Sequence, residues 1–394
     1  MTPEGRLSIQ INPAKAPENR VVIRSTRPVS ACRVFKGKTV AESLALLPVL
    51  FSICATAQSC AAVRACEQAQ SVIPVHGTEA IRDCLVNMET IREHLWQVFL
   101  DWPKFLQTDI KQQSMVEIRA IQSTYQQVLL MDQPVFSVGG IIQMPELTGL
   151  DKITGQLSEL LRQQVFGCQL EQWLSMDSYS QLQNWLEQTQ TIAADMLKKI
   201  ISLDCADSGC CEITALPELD NSQLSALLQQ EDAAELPQWQ GQSYETSSFT
   251  RTQSPLLNVL KQQYGNGLLV RMAARLTEIA QLSLKLIPEK SADPEQRSSD
   301  SLHSNTGAVT AIGQAAAARG QLIHRVSIQN NQITDYQILA PTEWNFHPEG
   351  VVAGALAHIQ GNADNSKTFN HEQQAHLIIK AIDPCVDYQL AIEA

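Results

Sequence analysis

Hydrophobic and polar residues alternate along two parts of the chain. Residues 7–11 carry leucine or isoleucine at every second position, and residues 21–23 form another hydrophobic segment after a proline-containing turn. Further along, the hydrophobic segments 322–328 and 333–339 flank a polar stretch of Asn and Gln. Such segments, joined by polar turns, are typical of paired strands, so each pair predicts a β-hairpin.

Helical spacing of hydrophobic residues covers much of the remaining chain. It is found in the runs 55–69, 81–99, 153–165, 192–203 and 269–286. Pro288 ends the last of these runs, and Asn370 with Gln373 forms a capping-box pattern for a final helix that ends before Pro384. The predicted fold class is α+β, mostly α, with a helical bundle core and small peripheral β-hairpins.

Length and local composition indicate the domain organisation. A chain of 394 residues can bury a large core, and we expect residues 1–394 to form a single domain. Residues 204–251 are acidic and polar with little periodicity, which predicts a loop-rich insertion. Residues 289–306 are rich in Ser and Asp and lack a hydrophobic pattern, which predicts a flexible polar linker.

Charge and hydropathy exclude several classes of function. The formal net charge of -12 and the absence of a dense Lys/Arg run make nucleic acid an unfavourable partner. Residues 1–10 lack the apolar region of a signal peptide, and residues 44–57 are too short to span a bilayer, so we expect that stretch to be buried. Ten cysteines without an export signal are expected to be reduced thiols. The sequence therefore predicts a cytoplasmic protein with no membrane or nucleic-acid partner.

Candidate chemistry lies in short groups of residues far apart along the chain. In chain order these are Phe51-Ser-Ile-Cys54, Ala318-Arg-Gly320, Pro341-Thr342 with Trp344-Asn345, and Asp383-Pro-Cys385. In this order they resemble the large subunit of nickel-iron hydrogenases, whose N-terminal Arg-x-Cys-Gly-x-Cys and C-terminal Asp-Pro-Cys-x-x-Cys motifs together hold nickel and iron. The resemblance covers most of the chain, starting from Glu4-Gly-Arg-Leu7, and implies the large-subunit fold.

The departures from this family concern the metal-binding thiols. Without a gap, Cys54 matches the second, metal-bridging cysteine of the N-terminal pair, and Phe51 replaces the first. A gap of three residues would instead place Cys54 on the first cysteine. Cys385 matches the first cysteine of the C-terminal pair, Tyr388 replaces the second, and Ala391 replaces the histidine of the family. Two thiols therefore remain where the enzyme has four.

The resemblance implies a particular cargo. Four soft thiolates normally complete the nickel site, so nickel would need ligands beyond Cys54 and Cys385. We therefore expect no nickel. Iron that already carries two cyanides and a carbonyl, Fe(CN)2(CO), needs fewer protein ligands. In the family, an arginine and a Ser/Thr donate hydrogen bonds to the cyanide nitrogens, and Arg319 and Thr342 stand at those places. Cys54 and Cys385 are thus the expected iron ligands, with Arg319 and Thr342 around the cyanides.

These features resemble the large-subunit-like accessory proteins of uptake hydrogenase maturation, the HupK or HoxV type. The resemblance implies a non-enzymatic chaperone or scaffold that transiently binds Fe(CN)2(CO) and delivers it to the large-subunit precursor, with that precursor and small maturation chaperones as partners. An alternative is a cofactor-free interaction protein that mimics the large subunit. A divergent hydrogenase is disfavoured by the missing thiols, and a quinone-binding relative by the presence of Asp383-Pro-Cys385.

Ordinary structural roles compete with each of these assignments. Free cysteines in apolar helices are usually core residues, which is our expectation for Cys60, Cys66, Cys84 and Cys168. The cluster of Cys205, Cys210 and Cys211 could bind zinc or respond to oxidation, but it lacks a fourth ligand at a standard spacing. Arg319 could pair with a carboxylate, and Pro341-Thr342 could be a simple turn. No nucleophile, base and orienting residue can be assembled from the sequence.

Overall fold

The computed structural model describes residues 5–140, 143, 145–230, 232–289, 302–303, 307–359 and 370–393. Nearly all of the predicted linker at 289–306 lies outside these residues. The two predicted hairpins are present, and each belongs to a larger sheet. The strands of the described chain are β1 (Leu7–Ile11), β2 (Val21–Ser25), β3 (Leu302–His303), β4 (Val309–Ala317), β5 (Gly320–Gln329), β6 (Gln332–Leu339) and β7 (Tyr388–Ile392).

Helices make up most of the described chain, as the spacing of hydrophobic residues predicts, and the fold class α+β, mostly α, is confirmed. They are α1 (Pro17–Arg20), α2 (Val40–Leu50), α3 (Ala55–Ala69), α4 (Thr78–Trp96), α5 (Trp102–Leu106), α6 (Gln112–Leu130), α7 (Leu147–Leu161), α8 (Leu170–Leu174), α9 (Tyr179–Gln188), α10 (Ile192–Ser202), α11 (Asn221–Leu227), α12 (Ser248–Arg251), α13 (Pro255–Tyr264), α14 (Leu268–Ser283), α15 (Pro341–Asn345), α16 (Val351–Ala357) and α17 (His371–Ile382). A 3₁₀ segment covers Val29–Phe35, and π-helical turns follow α4 at Gln97–Asp101 and α7 at Arg162–Phe166.

The first sheet joins the two ends of the described chain. Its strand order is β2-β1-β7, with β1 antiparallel to β2 and parallel to β7. Leu7 pairs with Ser25 on one side and with Tyr388 on the other. The sequence analysis predicted the β1–β2 hairpin but not the third strand, which begins three residues after Cys385.

The second sheet has the order β3-β4-β5-β6, and its strands are antiparallel. Asn330 and Asn331 both have positive φ, 51° and 62°, which suits the two-residue turn between β5 and β6. Helix α3 packs across β4 and β5. The approach is close at Gly313, where an added Cβ would lie 2.0 Å from the backbone oxygen of Ala61. The sheet therefore fixes the position of α3, which begins directly after Cys54.

The main hydrophobic core is formed by the long helices. Helix α14 packs against α4, α8, α10, α13 and α17. Both ends of the final helix are as predicted: α17 begins with a capping box at Asn370 and ends at Ile382. The expectation that residues 44–57 are buried is wrong for most of the stretch, because only Leu47 and Ala57 are buried, whereas Val49 and Leu50 are 73% and 38% exposed. None of the helices in the described part of the chain is both long and apolar enough to cross a bilayer.

The described residues of the acidic segment 204–251 form α11, α12 and otherwise irregular backbone. It is anchored in the interior at Glu245, which is 1% exposed. Nη2 of Arg271 donates to Oε2 of Glu245 over 2.9 Å. Because a buried carboxylate must be paired, this contact fixes part of the segment to α14.

Candidate functional site

Cys54 and Cys385 line the same cavity, which has a volume of about 150 Å³. Cys54 is the N-cap residue of α3, and Cys385 lies between α17 and β7. The structure thus brings together two thiols from opposite ends of the chain. The cavity is otherwise mostly apolar, and its charged lining residues are Arg27, Arg319 and Glu343.

The Cys54 thiol lies at the end of a buried hydrogen-bonded chain. The Nε2 group of Gln58 donates to the Cys54 sulfur over 3.5 Å, and the Oε1 atom of Gln58 lies 2.8 Å from Nε2 of His324. The other ring nitrogen of His324 lies 2.8 Å from the hydroxyl oxygen of Tyr336. Burial lowers the pKa of His324 to about 3, so the ring is neutral, and its Nε2 donates to Gln58 while its Nδ1 accepts from Tyr336. This chain orients the amide that faces Cys54.

Burial raises the pKa of Cys54 to about 12, and the nearby Glu89 carboxylate and Cys385 contribute in the same direction. Glu89 accepts hydrogen bonds from the backbone N–H groups of Thr56, at 2.8 Å, and Ala57, at 3.0 Å. It therefore occupies the N-terminus of α3, which would otherwise be available to an anion. Cys54 is therefore a protonated thiol at neutral pH.

Cys385 is held by Thr342, in the first turn of α15. The Thr342 hydroxyl donates to the Cys385 sulfur, with 3.0 Å between Oγ1 and Sγ, and the backbone N–H of Cys385 donates back to Oγ1 over 3.4 Å. Thr342 is 2% exposed, and its neighbours Pro341 and Glu343 line the cavity whereas Thr342 does not. The structure therefore places this hydroxyl against a sulfur rather than at the cavity wall.

Arg319, in the turn between β4 and β5, lines the cavity and also pairs with carboxylates. Its Nη1 donates to Glu93 over 3.0 Å, and its Nε lies 3.5 Å from Oδ2 of Asp383. Burial alone would lower the pKa of Arg319, but Asp383 and Glu93 raise it. The guanidinium is consequently a fixed positive charge beside the two thiols.

Asp383 links the guanidinium of Arg319 to the loop that carries Cys385. It ends α17 with a φ of 70° and is 3% exposed. Its Oδ1 accepts a hydrogen bond from Nε2 of Gln97 over 2.8 Å. The Asp383-Pro-Cys385 motif is thus tied to the π-helical turn after α4 through Gln97 and to the β4–β5 turn through Arg319.

Arg27 and Glu343 face the cavity, and the sequence analysis did not single out either of them. Nη1 of Arg27 lies 2.9 Å from Oε1 of Glu343, and both side chains are largely buried. Burial raises the pKa of Glu343, although Arg27 opposes this effect. Arg27 follows β2, more than three hundred residues before Glu343, so only the folded chain brings them together.

The cavity supplies few ligands for a bare metal ion. Among the residues that the structure describes, no group of three or more His, Cys, Asp or Glu side chains is arranged to hold one. All ten cysteines are free. The thiols of Cys205, Cys210 and Cys211 donate separately to the carbonyls of Leu203, Tyr264 and Val351. Cys60 and Cys66 are fully buried, as expected of core residues.

The chain has the fold of the nickel-iron hydrogenase large subunits. Residues 251–387 match the nickel-dependent hydrogenase family. The Ni-Fe-Se hydrogenase from D. vulgaris Hildenborough has a similar structure, with a TM-score of 0.59 and 15% identity over 93% of this chain and 92% of that chain.

The sequence relatives are more specific than the fold. The chain is 28% identical to the hydrogenase expression/formation protein HoxV of Cupriavidus necator, over 93% of this chain and 91% of that protein. It is 24% identical to the hydrogenase expression/formation protein HupK of Azotobacter vinelandii, over 98% of each. The predicted resemblance to proteins of the HupK/HoxV type is confirmed.

Proposed function

We propose that this protein is a hydrogenase maturation scaffold in the cytoplasm. It holds an Fe(CN)2(CO) unit transiently between Cys54 and Cys385 and delivers it to the precursor of a nickel-iron hydrogenase large subunit. The observation that carries this proposal is the shared cavity, where two thiols from distant parts of the chain lie beside Arg319. The names of the relatives, hydrogenase expression/formation proteins, support a maturation role.

The available ligands favour a cargo that brings ligands of its own. Two thiols cannot satisfy nickel or a bare iron ion, and among the described residues no third metal-binding side chain joins them. An iron with two cyanides and one carbonyl already has three strong ligands, so two thiolates complete a stable coordination sphere. We therefore expect iron without nickel in the loaded protein.

The environment of Cys54 favours temporary rather than permanent binding. Its pKa of about 12 means that iron must displace a proton before the sulfur can bind, which reduces the apparent affinity at neutral pH. The two sulfurs also come from separate segments and form no Cys-x-x-Cys chelate. A precursor with four thiols would bind the same iron more tightly, so transfer toward the precursor is downhill.

Infrared spectroscopy tests the cargo directly. The protein should be purified without oxygen from cells that make the complete hydrogenase maturation machinery. We expect cyanide and carbonyl stretching bands, iron in proportion to those bands, and nickel at background. Cys54→Ala and Cys385→Ala should each lose the bands and the iron.

Cys60→Ala is the matched control, because Cys60 lies in α3, the helix that Cys54 caps, and is fully buried. It should keep the bands. A folded wild-type protein without cyanide and carbonyl bands, or a Cys385→Ala variant that retains them, would contradict the proposal.

A cofactor-free scaffold that mimics the large subunit is the second candidate. Val49 and Leu50, at the end of α2, are exposed hydrophobic residues, and Leu50 also lines the cavity. Exposed apolar side chains of this kind suit a protein partner, such as the large-subunit precursor or a small maturation chaperone. This candidate predicts that Cys385→Ala still supports hydrogenase assembly, whereas Val49→Asp does not.

A further inference from the structure

Arg27 is placed to act on both thiols of the cavity. Its backbone is held at the end of β2, where its N–H donates to the Ser25 hydroxyl over 3.1 Å, and its side chain reaches the cavity wall. Burial alone would lower the pKa of Arg27, but Cys385, Glu343 and Cys54 raise it. The guanidinium is therefore within electrostatic range of both sulfurs as well as of Glu343.

The pairing between Arg27 and Glu343 is incomplete. Nη1 of Arg27 lies 2.9 Å from Oε1 of Glu343, yet this buried nitrogen makes no hydrogen bond with any described residue. The other carboxylate oxygen, Oε2, is also buried and without a hydrogen-bond partner among those residues. Buried polar atoms without partners are unfavourable, so the Arg27 nitrogen has unused capacity to donate a hydrogen bond to a ligand in the cavity.

The charge of the proposed cargo requires more than one cation. Two cyanides cancel the charge of an iron(II) ion, and two thiolates then leave the bound complex with two net negative charges. An anion taken out of water must be paired and hydrogen-bonded. Arg319 supplies one positive charge, and its Nη1 is already used by Glu93. Thr342, the second expected partner of the cyanides, donates its hydroxyl to Cys385.

We propose that Arg27 is the second cation that holds the iron unit, and that Glu343 keeps Arg27 in place when the cavity is empty. The anionic ligand class is a metal-bound cyanide, whose nitrogen accepts a hydrogen bond from the guanidinium. On binding, Arg27 exchanges its contact with Glu343 for one with the cargo. This inference rests on the function proposed above, and it adds opposite roles for the two members of the ion pair.

Opposite effects of two substitutions test the exchange. Arg27→Gln removes the cation, so iron should be lost about tenfold faster during anaerobic gel filtration, the change expected for one hydrogen bond to a charged group. At least one cyanide band should also shift. Glu343→Gln removes the competing carboxylate, so this variant should retain the iron at least as long as the wild type. Arg27→Lys should be intermediate, because an ammonium keeps the charge without the planar fork.

Arg24→Gln is the matched control for loss of charge, since Arg24 is exposed on β2, and it should behave as the wild type. If Arg27→Gln and Glu343→Gln shorten retention equally and lower the urea midpoint equally, the pair is merely structural and the inference is overturned. Unchanged bands and retention in Arg27→Gln also overturn it while leaving the proposed function intact. A wild-type protein without cyanide and carbonyl bands removes the proposed function and this inference together.

Discussion

The hydroxyl of Thr342 donates a hydrogen bond to the sulfur of Cys385, with 3.0 Å between the two atoms. The same oxygen accepts the backbone N–H of Cys385 over 3.4 Å. The buried side chain of Thr342 therefore contacts both the sulfur and the backbone N–H of Cys385. Thr342 thus positions Cys385, whether or not it also contacts a cargo.

Replacing Thr342 with valine should slow the reaction of Cys385 with an alkylating reagent. The hydrogen bond from the hydroxyl orients the sulfur for attack, and valine keeps the shape of threonine without the donor. We expect alkylation about two- to tenfold slower, since a hydrogen bond contributes about 1 kcal/mol. Mass spectrometry of the Cys385 peptide measures the rate. Thr342→Ser should react like the wild type, and an unchanged rate in Thr342→Val would show that the hydroxyl does not act on the sulfur.

Replacing Arg319 with methionine should destabilise the fold as well as the site. Asp383 would lose the cation it faces and Glu93 would keep only Arg92, and a buried charge left without its partner costs about 3 to 5 kcal/mol. Urea denaturation measures the free energy of unfolding. Arg162→Met is the control, because Arg162 pairs with Glu159 on the surface and should change stability little. A stable Arg319→Met variant that loses only the infrared bands would assign Arg319 to the cargo alone.

Gly313→Ala should disturb the contact between α3 and the second sheet. An added Cβ would lie 2.0 Å from the oxygen of Ala61 and 2.4 Å from the nitrogen of Ala65, and both of these are backbone atoms. Helix α3 must move away from the sheet, at a cost of about 3 kcal/mol. Gly155→Ala is the opposite control, because Gly155 lies in α7 with open space around it, and alanine should stabilise that helix by about 0.5 to 1 kcal/mol. Urea midpoints of the two variants should move in opposite directions.

His324 should make the stability of the protein depend on pH. Its pKa falls from 6.5 in the unfolded chain to about 3 in the folded protein because the ring is buried. Below pH 6.5 the unfolded chain therefore binds a proton that the folded protein does not. The stabilisation is complete above pH 6.5 and declines by about 1.4 kcal/mol per pH unit as the pH falls toward 3.

A comparison with His324→Gln isolates this effect from the other titrating groups. The variant lacks the titrating ring. The difference in free energy of unfolding between the wild type and the variant should therefore shrink by about 2 kcal/mol between pH 6.5 and pH 5. Denaturation curves at pH 7.5, 6.5 and 5 provide the measurement. A difference that is constant across these pH values would mean that the folded protein accepts a proton at His324.

Local pattern was sufficient to predict many of the elements. Alternation or short hydrophobic segments predicted β1, β2, β5 and β6, helical spacing predicted α3, α4 and α14, and a capping-box pattern predicted α17. Strand β4 was missed because residues 313–318 consist of glycine, glutamine and four alanines and lack the β-branched side chains that favour strands. Its conformation is selected by pairing with β5 and by the close approach of α3 at Gly313. Strand β7 could have been predicted, since Tyr388, Leu390 and Ile392 alternate with polar or small residues.

The residues of the site likewise include some that the sequence could predict and some that it could not. Cys54, Arg319 and Cys385 belong to motifs, and the structure brings all three to one cavity. Glu89 and Arg27 belong to no motif. Their roles come from tertiary contacts between distant segments. Neither short spacing nor composition carries information about such contacts.

The pairing of β7 with β1 means that the cavity forms late in folding. Residues 388–392 hydrogen-bond to residues 7–11, so this pairing, directly after the loop with Cys385, closes a circuit through almost the whole polypeptide. Such closure carries a large entropy loss and comes late in folding. During synthesis on the ribosome, Cys54 is made long before its partner sulfur. A chain that has not finished folding therefore does not yet have the cavity that is proposed to hold the iron unit.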